Sequence, residues 1–223
     1  MRLAITILLI SLIVTSTWAG TFRDDFNDGD FKGWMTPLGG EWSVEDGVVV
    51  CKNSDNAVVL SIGEPEWENY TVTFDSKVES HSGMFALGGM IRRDEVEFNE
   101  VYYCIAHTLV GDDRIEAGIT VAKRPVEHSI KRNHNFSLKL GKWYNFRVTL
   151  KGTRFDFFLD NELVISTDYN NYPIPKSGKF SIWNRWTDKV YFDNVVITGD
   201  DIQPVQAKSK LTTTWGRVRS GKH

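Results

Sequence analysis

The chain has 223 residues, and its charge is unevenly spread: Gly20 to Asp201 holds 20 basic and 29 acidic residues, a net charge of −9, while every charge after Asp201 is positive. An acidic body lacks the basic face that a nucleic-acid partner requires, and the two cysteines, Cys51 and Cys104, are too few for a zinc site. The length suits a single β-domain behind a short leader.

In chain order, Met1-Arg2 is a basic start, Leu3 to Val14 is an almost unbroken apolar run, and Thr17-Trp18-Ala19 offers small residues before Gly20. That pattern reads as a signal peptide over residues 1–19 with cleavage after Ala19. It places the mature protein outside the cytoplasm, secreted or periplasmic, with no membrane span after cleavage. Residues 20–200 read as one domain. Strands are predicted at 22–26, 41–45, 47–52, 56–62, 69–80, 83–93, 101–109, 113–122, 126–138, 143–151, 153–160, 162–167, 178–184 and 189–198, with room for one short helix near Pro65–Trp67. The clearest are near the end. Phe146, Val148 and Leu150 alternate with Arg147, Thr149 and Lys151; Gly152 turns the chain; Phe155, Phe157 and Leu159 follow, and Asp160-Asn161 turns it again into Leu163-Val-Ile165. Period-two alternation broken by Gly and Asn marks antiparallel strands with one buried face. The fold class is therefore all-β, a two-sheet antiparallel sandwich. Residues 201–223, with Lys208, Lys210, Arg217, Arg219 and Lys222, read as a basic, solvated tail. Cys51 and Cys104 both fall in predicted strands. They form either one disulfide, which an oxidising compartment permits, or two buried thiols.

Several short motifs recur in order: Asp24-Asp-Phe-Asn-Asp-Gly-Asp30 with Gly33-Trp34; Gly40-Glu-Trp-Ser-Val-Glu-Asp-Gly-Val48; Trp67-Glu-Asn-Tyr-Thr-Val72; Gly88-Gly-Met-Ile-Arg92 before Val101-Tyr-Tyr103; Trp143 to Val164; and Val190-Tyr-Phe-Asp-Asn-Val-Val-Ile197. Over residues 22–199 this series resembles the concanavalin A-like lectin/glucanase superfamily. In particular it resembles the laminin-G-like jelly rolls related to family 16 glycoside hydrolases and to the 3-keto-disaccharide hydrolase domain. The resemblance implies a jelly-roll topology and a glycan or polysaccharide partner. Two departures stand out. His81-Ser-Gly-Met84 lies where the hydrolase domain has Asn-Ser-Gly, with Arg92 further along, and Phe192-Asp-Asn194 replaces a terminal Phe-Arg-Asn. Both point toward the non-catalytic members of the superfamily.

The resemblance also directs attention to three sets of residues. Glu95-Val-Glu97-Phe-Asn-Glu100 is similar to the family 16 motif, whose outer carboxylates act as nucleophile and acid/base; retaining hydrolysis places such a pair about 5–5.5 Å apart. Here the middle position is Glu, and the stretch follows the polar Arg92-Arg93-Asp94, so a solvated acidic loop is the favoured reading. In related jelly rolls a structural calcium joins the N-terminal stretch to the last strand, which designates Asp25 and Asp193, within the cluster Asp24, Asp25, Asp28 and Asp30, as oxygen ligands; Asx-turn chemistry is the alternative. Trp183-Asn184-Arg185-Trp186 is expected in a turn before the final strand, the indoles stacking on sugar rings while Arg185 and Asn184 bind hydroxyls. Tyr102, Tyr103 and His107 on a central strand join them, with Arg92 opposite. The functional expectation is a secreted, non-catalytic carbohydrate-binding or adhesion-type jelly roll, with a glycoside hydrolase of the same fold as the alternative.

Overall fold

The computed structural model describes residues 20–54, 56–93, 102–111, 114–123, 126–133, 138–171, 177–200 and 202, with side chains described outside 81–93, 102–111, 114–123 and 126–132. Among the described residues every regular element is a strand: β1 (Gly20–Asp24), β2 (Glu41–Glu45), β3 (Val48–Ser54), β4 (Val58–Ile62), β5 (Tyr70–Arg93), β6 (Tyr102–Gly111), β7 (Arg114–Lys123), β8 (Val126–Asn133), β9 (Tyr144–Lys151), β10 (Arg154–Leu159), β11 (Glu162–Asp168) and β12 (Lys179–Gly199). All pairings are antiparallel. Residues 64–67 close a turn, Trp67 N–H to Glu64 C=O at 3.3 Å, rather than a helix. No helix among the described residues is long and apolar enough to cross a membrane. The predicted leader and nearly all of the predicted tail lie outside the described residues. Ile202 is buried in the core, so packing continues past the expected boundary at 200.

The alternating segments behave as half-buried strands should. Phe146, Val148, Leu150, Phe155, Phe157 and Leu159 are all buried, and their sequence neighbours face outward. Asp160 and Asn161 both take positive φ (47° and 68°), the two-residue geometry that suits the twist of a hairpin.

Two predicted breaks are absent. Residues 69–80 and 83–93 form one strand, β5, and 178–184 and 189–198 form another, β12. The two pair from one end to the other, Gly199 opposite Tyr70 to Lys179 opposite Arg93, with register shifts along the way and residues 82–85 of β5 unpaired with β12. One edge of the ribbon carries β9, β10 and β11 at one end and β6, β7 and β8 at the other. The other edge carries β1, β3 and β4 in turn along β12, with β2 beyond β3.

The continuous ladder is folded over on itself. Phe180 and Phe192 are twelve residues apart on β12, roughly 40 Å if extended, yet both rings pack on Phe74, with centroids at 5.9 and 6.3 Å. Likewise Tyr70 pairs with Gly199 at one end of β12 while its hydroxyl donates to the carbonyl of Gly178, just before the other end. The bend falls where register shifts cluster, between Arg185 and Val190; bulges kink a strand and raise its twist. The two layers enclose one aromatic core, in which Phe146 stacks between Phe74 (5.0 Å) and Phe157 (5.9 Å).

Candidate functional site

Trp183–Trp186 is not a turn. All four residues lie inside β12 and lead into its sharpest irregularity, where Arg185 pairs with Ala86 but Thr187 with His81. Trp186 occupies the irregular position with φ 59°, a left-handed conformation that side-chain-bearing residues adopt at a cost. The sequence offered no glycine or proline there, and the β-formers on both sides kept the strand going.

The residues of this segment divide between two faces. Phe180 and Ile182 enter the core. Asn184 is fully buried rather than offered to a sugar. Its Nδ2 donates to Ser54 Oγ (2.9 Å) and Thr187 Oγ1 (2.8 Å), and those two hydroxyls bond each other at 2.6 Å. This knot ties β3 to the bulge, while Asn184 Oδ1 is left without a partner. Cys51, beside Asn184, is a buried free thiol. Burial pushes the thiol up to about 11, with Asn184 pulling the other way. The side chain of Cys104 is outside the described set.

Trp183 and Arg185 lie on the other face. Trp183 stands opposite Val59 on β4 and Gly88 on β5; Gly88 stands opposite His107 on β6, and His107 opposite Gly118 on β7. The row therefore places glycine on two of its five strands. Alternation from Ile105, which stands opposite Met90 as Met90 does opposite Ser181, puts position 103 on this same face; position 92 falls at the register shift between the Ser181–Met90 and Lys179–Arg93 pairs and is not placed on it. Register thus brings Trp183, Arg185 and Tyr103 to one surface and leaves Arg92 at a bulge. Trp183 is 8 % exposed and lies outside the contiguous core cluster, so its ring is covered on this outer face. Arg185 and Trp186 are half-buried. The Arg185 guanidinium rests 3.9 Å from the centroid of the Trp186 ring, and its Nε is buried with no hydrogen-bond partner. Glu95, Glu97 and Glu100 lie outside the described residues, between β5 and β6.

At the other end of β12, Asp24 stands opposite Val195, bringing Asp25 beside the turn of the strand at Asn194. Partial burial and then the neighbouring carboxylates of Asp75, Asp25 and Asp24 raise the Asp193 carboxyl above its usual range, against the pull of the Asn194 N–H. Asn194 Nδ2 bridges Asp75 (2.9 Å) and Asp193 (3.2 Å), and Asn145 Nδ2 donates to Asp75 at 2.8 Å. Asp24 is buried and accepts the Phe26 N–H and the Trp34 indole. Asp25, Asp28 and Asp30 each accept the N–H two residues ahead, the Asx-turn pattern. Among the described residues no group of three or more His, Cys, Asp or Glu is placed to hold a metal.

These features define an antiparallel jelly-roll β-sandwich with a polar and aromatic outer face. Solved structures share the fold at low sequence identity. The carbohydrate-binding module CBM66 from Bacillus subtilis aligns at TM-score 0.58 and 20 % identity over 74 % of this chain and 95 % of its own. A putative glycosyl hydrolase from Parabacteroides distasonis aligns at 0.54 and 19 % over 82 % and 95 %, and the Bacillus licheniformis β-glucanase at 0.59 and 12 % over 81 % and 97 %. Residues 21–198 match the profile of the 3-keto-alpha-glucoside-1,2-lyase-like domain, and the chain belongs to that family. The departures at His81-Ser-Gly and Phe192-Asp-Asn194 therefore do not take it outside the family. No match was found among curated proteins.

Proposed function

We propose that this protein is a secreted or periplasmic, non-catalytic carbohydrate-binding jelly roll that takes its glycan on the outer face of β12, β5 and β6. The observation carrying this reading is the Arg185–Trp186 pair. A charged guanidinium is held over an indole with one buried N–H unsatisfied, and leaving such a donor unmet costs about 1–3 kcal/mol. A sugar hydroxyl or carboxylate supplies the missing acceptor while the Trp186 ring covers a C–H face. Covering about 100 Å² of ring contributes on the order of 2–3 kcal/mol, so single-site affinity is expected in the micromolar to millimolar range. Position 103 shares this face by register, so Tyr103 would border the same glycan, with Trp183 beneath it and Arg92 at the bulge nearby. A calcium ion at Asp25 and Asp193 would tie the first strand to the last.

A glycan array read by tryptophan fluorescence, with a reducing-sugar assay in parallel, tests the reading. Binding without product formation is expected, lost on Arg185→Ala. Product release that disappears with Glu95→Gln or Glu100→Gln would replace it with the hydrolase reading. The family description supports a further catalytic alternative, cleavage of a 3-keto-glucoside. Turnover of a 3-keto-disaccharide where unoxidised disaccharides are inert would select that alternative.

A further inference from the structure

A second aromatic surface lies on the other side of the bulges. Tyr191 on β12 stands opposite Lys77 on β5, and the Lys77 ammonium sits over both the Tyr191 ring (4.1 Å) and the Trp143 ring (5.2 Å). Lys189 approaches the same Tyr191 ring at 5.0 Å. Trp143 is 39 % exposed, and the two rings are tilted 56° apart at 6.3 Å. The Tyr191 hydroxyl donates to Glu79, and Lys189 pairs with Glu79 at 3.4 Å. The turn before Trp143 is fastened to β5 by Gly141 N–H to Val78 C=O at 2.8 Å. The rings and ammonium groups are thus fixed before any ligand arrives.

We infer that Trp143, Lys77, Tyr191 and Lys189 form a second saccharide-binding surface, selective for sugars that carry a carboxylate or a sulfate. Charge complementarity carries the choice. In a body of net charge −9, two ammonium groups converge on one phenol ring. Glu79 is taken by Lys189 and the Tyr191 hydroxyl, and the carboxylates two residues along the ladder, Asp75 and Asp193, accept from Asn145 and Asn194. Among the described residues no carboxylate pairs with Lys77. An ammonium held over one face of an exposed indole offers a charge-assisted donor next to the uncovered part of that ring, which fits a pyranose bearing an anionic substituent. The rest of this face is mostly polar, with Asn145, Asp75, Thr73, Arg147 and Thr149 in neighbouring positions and the one aromatic among them, Phe158, covered by the Arg147 guanidinium at 4.0 Å. It lacks the apolar centre, within about 800 Å² per partner, that a stable protein interface needs. The surface is separate from the Arg185–Trp186 face: Tyr191 lies five residues further along β12, beyond the register shifts.

The test uses the full chain, titrated with tetragalacturonate for carboxylate, a sulfated galactan tetrasaccharide for sulfate, maltotetraose as the neutral control and tetraglutamate as an acidic peptide. Calorimetry and tryptophan fluorescence report binding. One or both acidic sugars are expected to bind, more weakly at high salt, with maltotetraose at least tenfold weaker. Lys77→Gln should weaken the acidic sugar about tenfold, Lys77→Arg should restore most of it, and Trp143→Ala should abolish the response. Replacing Lys208, Lys210, Arg217, Arg219 and Lys222 together by Gln should change nothing. Equal binding of maltotetraose, indifference to Lys77→Gln, loss on tail neutralisation alone, or tetraglutamate binding as well as the sugars would each overturn the inference. Arg185→Ala is expected to leave this binding intact, so the two surfaces stand or fall separately.

Discussion

At Trp186, glycine should be a better replacement than alanine, the reverse of the usual order in a strand. Its φ of 59° costs an L-residue about 1–2 kcal/mol, which glycine avoids. Glycine in turn loses about 0.5–1 kcal/mol to its freer unfolded chain. Both variants lose the contact with Arg185, about 0.5–1 kcal/mol, and roughly 100 Å² of ring burial, about 2.5 kcal/mol. Trp186→Ala is therefore expected to destabilise by about 3 kcal/mol and Trp186→Gly by about 0.5–1 kcal/mol less. With a urea dependence of about 2 kcal/mol/M, the glycine variant should melt at a midpoint roughly 0.3–0.5 M above the alanine variant. Glycan binding, which needs the ring, should be equally lost in both. An alanine variant as stable as the glycine variant would refute the idea that the bulge holds Trp186 in a strained conformation. Retained glycan binding in both would remove Trp186 from the site.

Phe74→Ala empties the contact between the two layers and is expected to cost about 3–5 kcal/mol, read as a fall in the urea midpoint with little change in far-UV circular dichroism at zero denaturant. Asp193 has its folded pKa raised, so its contribution to stability is fully present below the unfolded carboxylate pKa and is lost as pH rises through the folded one. Asp193→Asn should flatten that decline and raise the melting temperature at neutral pH in chelator. If Asp25 and Asp193 hold calcium, added calcium should stabilise the parent and not Asp193→Asn; a parent melt indifferent to both chelator and calcium rejects the ion. Cys51, buried with its thiol near 11, should escape alkylation at pH 8 until denaturant is added, as checked by peptide mass mapping; modification in native buffer would contradict that burial.

Most strands were legible because alternation is a local signal. Phe146 to Leu150 and Phe155 to Leu159 show it on either side of a turn, and in both runs the structure buries every second residue as expected. What local pattern could not show is that β5 and β12 continue through their polar middles. Residues 81–82 and 185–188 read as breaks, yet Ser80 and His81 pair with β12, and Thr187 and Lys189 pair with β3 on one side and β5 on the other. For the same reason Trp183–Trp186 read as a turn, and Asn184 as a surface donor. Its burial depends on Ser54, 130 residues away, a distance no spacing rule spans. The group Trp143, Lys77, Tyr191 was likewise hidden, because its members come from two strands and the loop before β9, which only the fold brings together. Conversely, positions 103, 183 and 185 share a face because alternation carries over once the register is known, whereas Arg92 falls at a register shift that alternation does not foresee.

The long ribbon also governs how the protein must be made. β5 pairs only with chain that follows it, and its pairing with β12 joins positions as far apart as Tyr70 and Gly199, 129 residues away. Closing loops of that size carries a large entropic cost before any contact repays it, and topologies dominated by distant pairings fold slowly. Until Lys179–Gly199 has been synthesised, β5, β1, β3 and β4 have no partner along the edges that β12 will fill. The emerging chain is thus held open by its own connectivity until its last quarter arrives. That suits a polypeptide expected to cross a membrane unfolded and to collapse only once it reaches the far side.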